Sequence, residues 1–87
     1  MDRITILRGK IDEIDGEILN LLKERVETSR LIGKIKKEIA MPIRDPERER
    51  EKYQCILRQA SELGLNVEVI REIYKNIISM SVKAQEQ

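Results

Sequence analysis

The sequence predicts an all-α chain of three helices, the first of them too long for one small chain to cover. Three observations carry this. An apolar heptad runs through the N-terminal half, two later segments space their apolar residues for helices, and Pro42, Asp45–Pro46, Gly64 and Asn66 punctuate the breaks.

In the first element Ile4, Ile11, Ile18, Ile32 and Ile39 share one heptad position, and Leu7, Ile14, Leu21 and Ile35 share its partner. The helix is expected to reach about Ala40, where Met41-Pro42 stops it, because a residue before proline is driven from helical dihedrals. Gly9, Gly16 and Gly33 fall on outward heptad positions, where each costs roughly 1 kcal/mol without breaking the stripe. Such a helix is roughly 50 Å long. A compact chain of this size has a radius of gyration near ~12 Å. An antiparallel or intertwined homodimer, two long helices covering each other, resolves the mismatch.

The second helix starts at Asp45, a strong N-cap, with Pro46 suited to the first helical position and Glu47 to the positive end of the helix dipole. Its apolar face is Tyr53, Ile56, Leu57, Ala60 and Leu63, and Gly64 ends it. Asn66 caps a third helix with the stripe Ile70, Ile73, Tyr74, Ile77 and Ile78.

Composition narrows function. The 87 residues fit a single domain, 1–87, that buries little surface by itself. Lys plus Arg number 17 and Asp plus Glu 16, a formal net charge of +1, so no overall field favours nucleic acid or an acidic membrane. One cysteine, Cys55, excludes a disulfide framework and a zinc ligand set, and the absence of histidine removes the usual general base. No apolar run approaches a membrane span and the charged start lacks a signal-peptide core, so the cytoplasm is the expected compartment and Met1 reads as a natural start.

Polar residues interrupt each apolar stripe. Arg25 and Thr28 fall on the first seam, and an unpaired guanidinium there requires a protein carboxylate or a bound anion. Lys36 lies eleven residues on, about 20° around the helix and roughly 16 Å along it, so both side chains can converge on one ligand. Arg8 is rotated by about 100° from Arg25 and roughly 25 Å away, out of reach of the same site within one chain; a partner helix can deliver it. On the second helix Glu49, with Arg48 beside it, places charge on the face of Tyr53 and Ile56. Glu47, Arg50, Glu51 and Lys52 fit a solvated face. On the third, Ser81 and Gln85 continue the apolar stripe, a pattern that terminal fraying also explains. Three such departures favour a lined polar pocket.

The segments LR at 7–8, IDEIDGEILNLLKER at 11–25, IGKIK at 32–36, PIRDPERE at 42–49 and SVKAQ at 81–85 closely resemble the all-α chorismate mutase family across the whole chain. The resemblance implies an intertwined homodimer with two equivalent sites and no cofactor or metal, converting chorismate to prephenate on the way to phenylalanine and tyrosine. It implies that Arg8 comes from the other subunit, and that Arg25, Lys36, Asp45, Arg48, Glu49, Ser81 and Gln85 line the site within one subunit. Arg8 and Arg25 would grip the two carboxylates with help from Arg48 and Ser81. Lys36 and Gln85 would meet the charge growing on the ether oxygen. Glu49 and the main chain around Asp45 would hold the ring hydroxyl. Two other readings stay open from sequence: an isochorismate-pyruvate lyase on the same scaffold, and a non-catalytic helical dimerisation or regulatory module. No segment is left over for an amino-acid effector, so intrinsic feedback is not expected.

Overall fold

Asp2 starts the first helix by accepting the Thr5 backbone N–H at 2.7 Å and the Thr5 hydroxyl at 3.0 Å, bonds that hold its carboxyl below the usual range. The computed structural model describes residues 2–87 and contains three helices: α1 (Arg3–Glu38), α2 (Pro46–Glu62) and α3 (Val67–Gln85). The all-α class expected from the sequence holds, with no strand among the described residues.

α1 is 36 residues long, about 54 Å. It ends two residues before the expected Ala40, and its last carbonyls explain where. The Met41 N–H donates to the Lys36 carbonyl at 2.8 Å and the Ala40 N–H to the Lys37 carbonyl at 3.3 Å, a Schellman closure. That closure forces Ala40 to φ 55°, a left-handed conformation usually left to glycine. The Cβ penalty there is about 1–2 kcal/mol, against roughly 0.4–1 kcal/mol for glycine's greater freedom in the unfolded chain. Ala40→Gly is therefore expected to stabilise the protein by about 0.5 kcal/mol, read as a higher urea midpoint at unchanged slope.

α2 and α3 begin and end as their sequences require. The Asp45 carboxylate accepts the Arg48 N–H at 3.0 Å, and the side-chain oxygen of Asn66 accepts the Val69 N–H at 3.1 Å. Gly64, at φ 73°, closes α2 with the Leu65 N–H on the Ala60 carbonyl at 2.9 Å. Cys55 is free and exposed.

α3 lies between the other two, packed on both, while α1 and α2 do not touch. Arg25 meets Ser81 and Gly33 meets Gln85, so α3 runs parallel to the C-terminal half of α1 and, through the turn at 63–66, antiparallel to α2. The buried apolar residues are few: Ile56 and Ala60 of α2, and Ile78, Val82 and Ala84 of α3. Leu63 (75% exposed) and Ile73 (46% exposed) leave the stripes to which their spacing assigned them. Leu63 is the C-cap beyond the last turn of α2, and Ile73 sits on the flank of α3.

Gly33 corrects the sequence reading more sharply. It is buried rather than outward, and a Cβ there would stand 2.6 Å from Gln85 Cα and 2.8 Å from its carbonyl carbon. α1 uses two faces: Ser29 and Gly33 receive α3, while the heptad seam remains in water. Ile4, Leu7, Ile11, Ile14, Ile18, Leu21, Ile32, Ile35 and Ile39 are 40–63% exposed. The radius of gyration is 16.4 Å. About 12 Å is usual for a compact chain of this length.

Candidate active site

α1 and α2 both pack on α3 and not on each other, and a cleft of about 640 Å³ is lined by all three. The seam of α1 supplies Arg25, Thr28 and Lys36; the connection supplies Ile43 and Asp45; the first turns of α2 supply Arg48, Glu49 and Lys52; α3 supplies Ser81 and Gln85. Arg25, Lys36, Asp45, Arg48, Glu49, Ser81 and Gln85, all selected from sequence, thus line one space. Arg8 does not join them. It is exposed on the N-terminal half of α1, beyond reach of this cleft.

The two ends of the cleft differ in chemistry. At one end Lys36 donates through Nζ to the Ile43 carbonyl at 2.6 Å and to Gln85 Oε1 at 2.7 Å. With Oε1 occupied, the Nε2 amide group of Gln85 is left as a donor, and the ammonium retains a third N–H. At the other end the Arg25 guanidinium donates to the hydroxyl of Ser81, a residue 6% exposed. Helix continuity through Gln85 and the burial of Ser81 remove fraying as the explanation for polar residues here.

Two of the three acidic residues on the cleft lining are engaged locally, while Glu24 makes no ion pair among the described residues. The Asp45 carboxylate caps α2, and Glu49, 21% exposed in its side chain, takes the Arg44 guanidinium at 2.5 and 3.3 Å. Among the described residues the ion pairs are Lys23–Glu27, Arg44–Glu49 and Arg71–Glu68. None neutralises Arg25, Lys36, Arg48 or Lys52. Arg25 and Lys36 have partners, but neutral ones, which satisfy their hydrogen bonds and leave the charge. The half-buried seam arginine pairs with no carboxylate among the described residues.

Sequence reading missed two residues. Lys52 was assigned to a solvated face, yet it is half-buried and lines the cleft. The signal was present, since it follows Glu49 by three residues and Arg48 by four, one turn along the same face. Arg44 had none: its contact with Glu49 depends on the path of the connection.

Comparison with known proteins agrees with this geometry. Residues 7–86 match the family model described as chorismate mutase type II. Over its whole length the chain is 32% identical to a chorismate mutase of Methanocaldococcus jannaschii and covers 88% of that protein. It is 41% identical over 90 residues to a bifunctional chorismate mutase/prephenate dehydratase of Aquifex aeolicus, of which it spans only 25%. The solved chorismate mutase of Thermus thermophilus, 32% identical, superposes with a TM-score of 0.87 over 99% of this chain and 97% of that one. With three helices in the same arrangement and a sequence match from Leu7 to Glu86, the chain belongs to the chorismate mutase type II family.

Proposed function

We propose that the chain is a chorismate mutase working as an intertwined homodimer, in which each cleft is completed by Arg8 of the other copy and converts chorismate to prephenate. The observation that carries this is a cleft in which Arg25 and Lys36 donate to neutral groups and none of Arg25, Lys36, Arg48 and Lys52 forms an ion pair among the described residues. A small dianion supplies that pairing. The exposed seam supports the dimer: covering its nine half-exposed aliphatic side chains is worth roughly 1 kcal/mol each. A partner's seam also brings Arg8 toward a cleft that its own chain cannot reach.

The reaction is an intramolecular rearrangement, so the protein needs neither nucleophile nor cofactor. Arg25 and the partner's Arg8 bind the two carboxylates bidentately, with Ser81 and Arg48 beside them, and hold the flexible substrate with its reacting carbons aligned. Rupture of the ether bond runs ahead of carbon–carbon bonding, so negative charge develops on the ether oxygen. The third N–H of Lys36 and the Nε2 of Gln85 meet it as fixed donors. The Arg44-held carboxylate of Glu49 and the main chain at Asp45 take the ring hydroxyl. Among the described residues no helix is long and apolar enough to cross a membrane, and the cytoplasm is the compartment in which we expect this chemistry.

Shared sites give the decisive experiment. Arg8→Ala and Arg25→Ala are each expected to be inactive, whereas refolding an equal mixture should restore about a quarter of wild-type chorismate turnover, since half the dimers are mixed and each has one intact site. Absence of recovery would sink the composite site, and a wild-type protein that leaves chorismate untouched would sink the activity.

Gln85 also fixes a pH response. Its amide does not titrate, so turnover should stay level from mildly acidic to mildly alkaline pH. Gln85→Glu should confine activity to the acidic side, where the carboxyl keeps the proton it must donate. Matching pH–rate profiles for the two proteins would contradict this role.

A further inference from the structure

Resting on the reading of the cleft as a dianion site, we propose that Lys52 is a further substrate-binding residue, whose ammonium serves the carboxylate held at the Arg25 end and sets affinity rather than barrier. Asp45, Arg48 and Lys52 lie along one stripe of α2, and Lys52 is one turn beyond Arg48, about 6 Å further along the axis. Because α2 runs antiparallel to α1, that turn carries it away from Lys36 and Gln85 and toward the part of the cleft lined by Leu21, Glu24 and Arg25. Lys52 is half-buried, and no carboxylate among the described residues lies within ion-pair distance of it. A lysine stem lying on the cleft wall with its charge uncompensated is placed to receive an anion.

Position decides the kinetic signature. The ether-oxygen donors are at the opposite end, so Lys52 meets a group whose charge is the same in substrate and transition state. Such uniform binding appears in KM and not in kcat. Its attraction for a dianion is also screened by salt.

The test measures chorismate turnover by the full chain at low and raised ionic strength for wild type, Lys52→Met, Lys52→Gln and Lys52→Arg. Arg50→Met, which removes an exposed charge of α2 outside this cleft, is the control. Lys52→Met and Lys52→Gln are expected to raise KM about tenfold with kcat within about twofold, and to flatten the rise of KM with salt. Lys52→Arg should restore most of the affinity, and Arg50→Met should change neither constant. A KM within about twofold of wild type, or a loss confined to kcat, overturns the proposal. Should wild type fail to turn over chorismate, the enzymatic reading falls first, and calorimetric binding of chorismate becomes the readout. Tenfold weaker binding by Lys52→Met would then support the role of Lys52, while equal binding or none by either protein would end it.

Discussion

Lys36→Met is expected to lower kcat for chorismate by about 10²–10³-fold, with kcat/KM falling by the same factor. Methionine keeps the length and packing of the lysine stem and removes only the ammonium, the group proposed above to meet the charge that appears on the ether oxygen as its bond breaks. The same ammonium holds Gln85 Oε1 at 2.7 Å and the Ile43 carbonyl at 2.6 Å, so the variant also frees the amide to turn and loosens the connection to α2. Both losses act on a donor array whose benefit lies in being fixed before the reaction begins. Initial-rate measurements across substrate concentration decide the matter. A rise in KM at constant kcat would mean that Lys36 only binds.

The second large effect comes from a residue without a side chain. A methyl at position 33 would stand 2.6 Å from Gln85 Cα, about 1 Å inside ordinary contact, so the last turn of α3 must move away from α1. A displacement of roughly 1 Å at a positioned donor costs about 10² in rate, and Gly33→Ala is expected to lose that much kcat. Stability should change far less. Overpacking costs about 1–3 kcal/mol, but alanine recovers close to ~1 kcal/mol of helix propensity over glycine. Gly16→Ala, with nothing within 4 Å of the new carbon, should keep full activity and gain up to about 1 kcal/mol. Paired thermal-unfolding and turnover measurements check both variants. Equal rates for Gly33→Ala and wild type would show that Gln85 tolerates the shift.

These glycines also mark where sequence was sufficient and where it was not. Helix number, the Asp45 and Asn66 caps and the Gly64 stop follow from local chemistry, which a single chain segment contains whole. Arg25, Glu49, Ser81 and Gln85 were legible for a related reason: each puts polarity on a stripe that should be apolar, a conflict visible in one dimension, whereas Lys36, Asp45 and Arg48 joined them through spacing, position and family resemblance. Gly33 was misplaced because a heptad specifies one face of α1, and it is α3, arriving on another face, that buries it, whereas Lys52 carried a signal in its spacing from Arg48 and Glu49 that was outweighed by the charge run around it. Nothing in the spacing of α1 encodes that second contact. Arg44 depends on the backbone path between two helices, where no periodicity exists to be read. The end of α1 illustrates the same limit, since the Schellman closure and the left-handed Ala40 arise from which carbonyls need donors, and the position of Pro42 only bounds that choice.

The seam left in water has one further implication. Few of this chain's large aliphatic groups are shielded by its own helices, so its solvent cost falls chiefly through encounter with another molecule. In the homodimer proposed above, dilution would act as a denaturant: at low enough concentration shape and reactivity would be lost together, and the cell's copy number would become part of what keeps the protein folded.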